Sequence, residues 1–149
     1  MTVRSAFNRF QLDASLWLQP DTAAAITASG ASTNSLPVDF ATGYWNTDGG
    51  VNAATLLEFA VEVIVQSIVG TGTYTLAVQV ASDAAFTSPV VVASVSPTAV
   101  GRSTLIVARE SIAAALGSNQ TGYFRVYATL GGTSPSIDYE AYAAPLVGD

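Results

Sequence analysis

The chain has 149 residues, about the length of one domain, and contains neither cysteine nor histidine. All five basic residues are arginines, so lysine is absent as well. This composition excludes disulfides, thiolate metal sites, Schiff-base chemistry and histidine-dependent catalytic triads. The formal net charge of −6 disfavours binding to nucleic-acid phosphates.

Charged residues make up 11% of the chain, against about 25% in an ordinary soluble domain. The longest uninterrupted apolar run is Ile112–Leu116, far below the roughly 18 residues of a membrane-spanning helix. The N-terminal residues show no apolar signal-peptide core. Because interface cores are depleted in charge, we expect a protein that functions inside an assembly, with neither nucleic acid nor membrane as a partner.

The first twenty residues carry large apolar side chains and two arginines, with no acidic residue before Asp13. We predict that residues 1–20 form either a first strand or an arm on a neighbouring subunit, and that residues 21–149 form a single β-sandwich domain. An aromatic pair in a later loop is a second candidate interface anchor. The candidate contact residues are Arg4, Phe7, Arg9, Phe10, Leu16, Trp17, Tyr44 and Trp45.

The next segment is rich in small and turn-forming residues. Residues 22–28 predict one helical turn behind Asp21, and residues 32–35 predict a turn. Residues 36–40 alternate as a short strand, and residues 46–50 as a loop or hairpin tip.

From residue 56 the pattern is that of β-strands. Phe59, Val61, Val63 and Val65 predict one buried face, and Tyr74, Leu76, Val78 and Val80 predict another. The turn-forming residues 70–73 between them predict a hairpin. Ser82-Asp83 predicts a turn, and Phe86 an anchor in the core.

The remaining residues predict short strands at 89–94, 105–107, 123–130 and 137–143, with a turn at Gly101-Arg102. Residues 111–116, followed by Gly117, predict a short helix with a glycine at its C-terminal end. We therefore expect an all-β fold, an antiparallel β-sandwich or jelly roll of about seven or eight strands.

Few side chains suggest chemistry. Glu58 and Glu62 would share a strand face about 13 Å apart, farther than a glycosidase pair. Asp138 and Glu140 would share a face of the last strand, with Arg125 on the preceding strand of the same hairpin as an ion-pair partner. Asn46, Asp48 and Asn52 resemble part of a calcium loop but lack its final acidic ligand, so a plain turn is favoured. Trp17, Tyr44, Trp45 and Tyr74 could stack on a sugar.

Three stretches, within about residues 21–147, point to a known family. The Ala24–Asn34 segment alternates Ala, Ser and Thr and ends in Ser-Thr-Asn before a short apolar strand. The Tyr74–Val80 strand is followed by Ser82-Asp83 and Phe86, and Arg125-Val126-Tyr127 by Gly131 and a closing strand at Ile137–Ala143. These stretches resemble the small capsid cement, or decoration, proteins of tailed bacteriophages, of the type known from a Bordetella phage. The first twenty residues are longer and more aromatic than that resemblance leads us to expect.

The resemblance implies a jelly-roll protein without catalytic residues, metal or cofactor. Such a protein is made in the host bacterial cytoplasm and binds the outer surface of an icosahedral capsid. It forms a symmetric homo-oligomer, a dimer or a trimer, and bridges neighbouring major capsid proteins. The alternative interpretation is a carbohydrate- or receptor-binding module of a phage tail or fibre, acting through Tyr44, Trp45 or Trp17.

Overall fold

The structure is a computed structural model that describes residues 16–39, 51–52 and 58–145. These residues form ten strands and one helix. In chain order the elements are β1 (Trp17–Gln19), β2 (Gly30–Ala31), β3 (Leu36–Asp39), β4 (Val51–Asn52), β5 (Glu58–Val69), β6 (Thr73–Ala81), β7 (Val90–Val95), β8 (Gly101–Ala108), α1 (Arg109–Leu116), β9 (Thr121–Gly131) and β10 (Ser136–Pro145).

The strands form two sheets with a jelly-roll order. The first sheet runs β1-β10-β5-β8, and the second runs β4-β3-β9-β6-β7, with the short β2 also paired to β9. The antiparallel pairs β1–β10, β3–β9, β5–β8 and β6–β7 are nested, as in one long hairpin folded across itself. This nesting is the topology of a jelly roll. The predicted fold class is therefore confirmed, with β2 and the parallel β4 as short additions to eight main strands.

The core lies between the two sheets, and the predicted strand faces line it. Nearly all of the predicted inward-facing residues of β5, β6, β9 and β10 are buried, as their period of two predicts, and several residues of the opposite faces are buried as well. Phe59 of β5 meets Phe124 of β9 across the sandwich, with ring centroids 5.2 Å apart. The helix α1 adds Ile112 and Leu116 to this core, and Gly117 ends it as predicted, with a φ of 61°.

The predicted hairpin of β5 and β6 is wrong, because the two strands belong to different sheets. Both turn an apolar face to the same core, so they lie opposite each other across the sandwich rather than side by side. The chain crosses at Gly70, whose φ is 92°, and the hydroxyl of Tyr74 donates to the Val69 carbonyl at 2.7 Å. β9 and β10 are likewise in different sheets, so their predicted hairpin is also wrong.

Two local predictions also differ from the structure. Residues 22–28 form no helical turn. A turn closes from the Ala23 amide to the Pro20 carbonyl, and Ile26 forms a bridge to Ile137 of β10. Gly101 and Arg102 begin β8 rather than forming a turn, because they pair with Val65 and Ile64 of β5. The loop predicted at residues 46–50 lies outside the described residues.

Candidate interaction surfaces

The candidate contact residues fall into two groups. Leu16 and Trp17 are described, whereas Arg4, Phe7, Arg9, Phe10, Tyr44 and Trp45 lie outside the described residues. Leu16 is only 4% exposed, so it offers little surface to another subunit. Trp17 is half-buried and packs edge-on against Tyr142 of β10, with centroids 5.2 Å apart. This end of the predicted arm is therefore part of the chain's own first sheet.

A polar turn holds β1 in place. The amide and the hydroxyl of Thr33 both donate to the side-chain oxygen of Gln19, at 2.8 and 3.0 Å. The Asn34 side chain donates to the Trp17 carbonyl at 3.1 Å. The Ser32 hydroxyl accepts from the buried amide of Val126 in the second sheet. The predicted turn at residues 32–35 thus joins β1 of the first sheet to β9 of the second, a role that local turn propensity does not reveal.

The outer face of the first sheet carries a closed polar cluster of Glu62, Arg102, Thr104 and Tyr142. Arg102 Nε donates to Glu62 at 2.8 Å, and its terminal nitrogen donates to the Tyr142 hydroxyl at 2.8 Å. Thr104 donates to the same carboxylate at 2.9 Å. The hydrogen bond to Glu62 raises the pKa of Arg102. Because the Glu62 carboxylate accepts hydrogen bonds from Arg102 and Thr104, we interpret it as a group that stabilises the sheet rather than one that takes part in a reaction.

Further acidic residues lie on β10. Burial, reinforced by the nearby Asp21 carboxylate, raises the pKa of Glu140 above its ordinary value. The predicted ion pair of Arg125 with Asp138 or Glu140 is wrong, because β9 and β10 lie in different sheets. The side chain of Glu58, the other carboxylate considered, lies outside the described residues.

The outer face of the second sheet carries an arginine held against aromatic rings. The Arg125 guanidinium carbon lies 4.1 Å from the centroid of Phe86 and 5.3 Å from that of Tyr127. Its Nε donates to Gln79 of the neighbouring β6 at 3.0 Å. Arg125 is the one charged residue in the sequences of β6, β7 and β9. In the described part of the chain, no carboxylate pairs with it.

Phe86 is buried, as predicted. It is 6% exposed, yet it lies outside the cluster between the sheets and supports Arg125 instead. Its loop is closed by Asp83, which accepts from the amide and the hydroxyl of Thr87. Phe86 itself has a φ of 54°, an uncommon conformation for a bulky residue. The stack of Phe86, Arg125 and Tyr127 is called the arginine stack below.

A shallow groove of about 370 Å³ lies where β5 turns into β6. Glycines, hydroxyl groups and Pro97 line it, and Thr75 and Ser96 share a hydrogen bond of 3.2 Å. Tyr74 also lines the groove, but its ring is only 4% exposed and its hydroxyl joins Val69 to Ser136. Tyr74 therefore presents no ring face to a sugar.

One edge of the sandwich is apolar and uncharged. β7 ends the described strand order of the second sheet. Residues 84–101, which include β7, contain no charged side chain. Val90, Val91 and Val100 are exposed by 44%, 54% and 63%. On the neighbouring edge strand β8, Ile106 is 45% exposed. This combination is typical of a surface that another protein covers.

Comparisons with known proteins give no assignment. No protein-family model matches the chain, and no curated protein matches it significantly. Within the described ranges, no helix has the length and apolar character needed to cross a membrane. The same residues contain no cluster of three metal-ligating side chains.

Proposed function

We propose that this protein is a non-enzymatic structural protein of a tailed-phage virion. It binds the outer surface of the icosahedral capsid and cements neighbouring major capsid subunits. It acts as a symmetric homo-oligomer, a dimer or a trimer. The observation that carries the proposal is the pairing of a jelly-roll sandwich with outer surfaces suited to contacts rather than to chemistry: an uncharged apolar edge and the arginine stack.

Cementing requires binding that favours the assembled shell. A ligand that binds only the assembled state stabilises that state by mass action, and many copies at subunit boundaries would oppose rupture. A jelly roll suits this task because each nested pair joins a strand from the first half of the chain to a strand from the second half. The force transmitted between two capsid subunits would then be shared across the sheets.

The outer face of the second sheet is the side that we assign to the capsid. The aromatic rings and the Gln79 hydrogen bond hold the Arg125 guanidinium in one orientation. A cation ordered in advance loses less conformational entropy on binding. Arginine and tyrosine are also among the residues that dominate interface energies. A carboxylate of the major capsid protein is the group that this guanidinium would bind.

Proteomics of gradient-purified particles tests the proposal. Hundreds of copies per particle, counted against the major shell protein, are expected for a cement protein. A few copies would assign the protein to the tail apparatus, and absence from the particle would refute a virion role.

The capsid-facing side is tested by rebinding purified variants to particles stripped of this protein. Arg125→Ala is expected to lower retention by at least about tenfold, the effect of losing roughly 1.4 kcal/mol at an interface. Arg125→Lys, which keeps the charge but loses the planar fork, is the matched control and should retain an intermediate amount. Unchanged retention of Arg125→Ala would remove the arginine stack from the interface while leaving the particle composition to decide the function.

A further inference from the structure

The exposed edge strand β7 lacks the charged side chains that usually protect an edge from pairing with another strand. Natural edge strands carry lysines, inward-pointing charges or a covering segment, because their unpaired amides and carbonyls accept any extended chain. β7 has the sequence Val-Val-Val-Ala-Ser-Val, and its flanking residues from 84 to 101 are equally uncharged. Val90 and Val91 remain substantially exposed. We therefore treat β7 as an interface rather than as a solvent-facing edge.

The partner must be an extended strand that pairs with an uncharged, valine-rich edge. Pro89 and Pro97 bracket β7, so pairing is limited to the residues between them. Within the strand, the register shifts between Val78 and Gln79 of β6, so that Val92 forms a bulge. The partner strand is therefore short, and its length matches β7 itself.

A second copy of this chain meets these conditions. Two copies with a net charge of −6 repel each other over most of their surfaces. The stretch from 84 to 101 carries no charge, so identical chains approach there without like-charge repulsion. An antiparallel pair of identical strands is also self-complementary under a two-fold axis. We propose that β7 pairs antiparallel with β7 of a second copy, across a two-fold axis, and joins the two second sheets into one continuous sheet.

The proposal has a geometric consequence for the arginine stack. Arg125, Gln79 and Val91 lie in register on β9, β6 and β7, and a two-fold axis normal to the sheet keeps the same face outward in both copies. Measured across the strands, the two Arg125 residues would then be separated by five strand spacings, or about 24 Å, on one face. This inference rests on the homo-oligomer of the proposed function. It deepens that proposal, because both arginine stacks would bind one capsid surface at the same time. Such bivalent binding raises apparent affinity without any new contact.

The first test is the mass of the full-length protein in solution by light scattering coupled to gel filtration, without any capsid present. The wild-type protein is expected to have the mass of two chains. Val91→Lys, which places a charge on the edge, is expected to raise the dimer dissociation constant by at least about a hundredfold and to give monomers. The matched control Val69→Lys alters an equally exposed valine at the end of β5 and should stay dimeric.

A second test locates the contact directly. Because the chain has no cysteine, single-cysteine variants can be cross-linked selectively. A short bis-maleimide should join two copies of Ser94→Cys, an exposed β7 position, but not two copies of Val69→Cys. A monomeric wild type, a three-chain mass, a dimer that survives Val91→Lys, or cross-linking at Val69 instead would each overturn the β7 pairing. Particle composition and capsid retention are measured separately, so a failed dimer and a failed cement function remain distinguishable.

Discussion

The pH dependence of the free energy of unfolding tests whether Tyr139 of β10 is buried between the two sheets. Its side chain points inward from β10 and is only 2% exposed. Burial raises the pKa of Tyr139 from 10.0 to about 12, because the phenolate is poorly solvated between the sheets. The folded protein therefore holds this proton more tightly than the unfolded chain. Tyr139 contributes stability that is fully present below pH 10 and is lost as the pH rises through about 12.

The size of this effect follows from the two pKa values. At pH 11 the unfolded tyrosine is mostly ionised and the folded one is mostly neutral, so the free energy of unfolding falls by about 1 kcal/mol. Well above pH 12 the loss approaches about 3 kcal/mol. Urea unfolding of the wild type and of Tyr139→Phe at pH 8 and pH 11 isolates this contribution. The other titrating groups cancel in the difference between the two proteins.

The wild type should lose about 1 kcal/mol more than Tyr139→Phe between the two pH values. An equal loss in both proteins would mean that the Tyr139 hydroxyl is as well solvated in the folded state as in the unfolded chain. That result would refute the burial argument and, with it, the tight contact of β10 with the core.

Two further predictions concern stability. Arg102→Ala should lower the free energy of unfolding by about 1 kcal/mol, because it leaves the Glu62 carboxylate, with 12% of its side chain exposed, held mainly by Thr104. Adding Glu62→Gln should recover part of that loss in urea titrations, and strict additivity would argue against the pair. Gly72→Ala should cost about 1–3 kcal/mol, because its new Cβ would lie 2.7 Å from the Gly131 carbonyl oxygen. Gly30→Ala, where nothing lies within 4 Å, is the control, and equal unfolding midpoints for the two variants would contradict the predicted clash.

The strand faces could be predicted from sequence because burial imposes a period of two on every strand of a sandwich. Phe59, Val61 and Val63 follow this period without interruption, and each is buried. The neighbour of each strand could not be predicted in the same way. A strand facing the core from the first sheet has the same alternation as one facing it from the second. The glycine-rich turn before Tyr74 therefore predicts a hairpin from sequence, although in the structure the chain crosses there from one sheet to the other.

The arginine stack could not be predicted from the sequence, for a different reason. Phe86 lies in a loop, where no periodicity shows which side of a sheet its ring will cover. Arg125 has the expected outward position on β9, and Tyr127 lies two residues along the same face, but Gln79 and Phe86 come from β6 and from the loop after β6. Only the register of β6 against β9, which pairs Gln79 with Arg125, brings these groups together. The sequence of neither strand predicts this pairing, so it could not reveal the arginine stack.

The two outer faces differ in how their arginines are used, and this difference orients the molecule. Arg102 is neutralised by Glu62 within its own sheet, and acidic residues surround that cluster on β10. Arg125 is held by rings and an amide, so its charge remains for an external group. Under the proposed function, a carboxylate of the capsid would therefore be attracted to Arg125 on the second sheet and repelled by the acidic residues of the first. The uncharged β7 lies at the boundary of the attractive face, where a second copy would extend that face without adding negative charge to it.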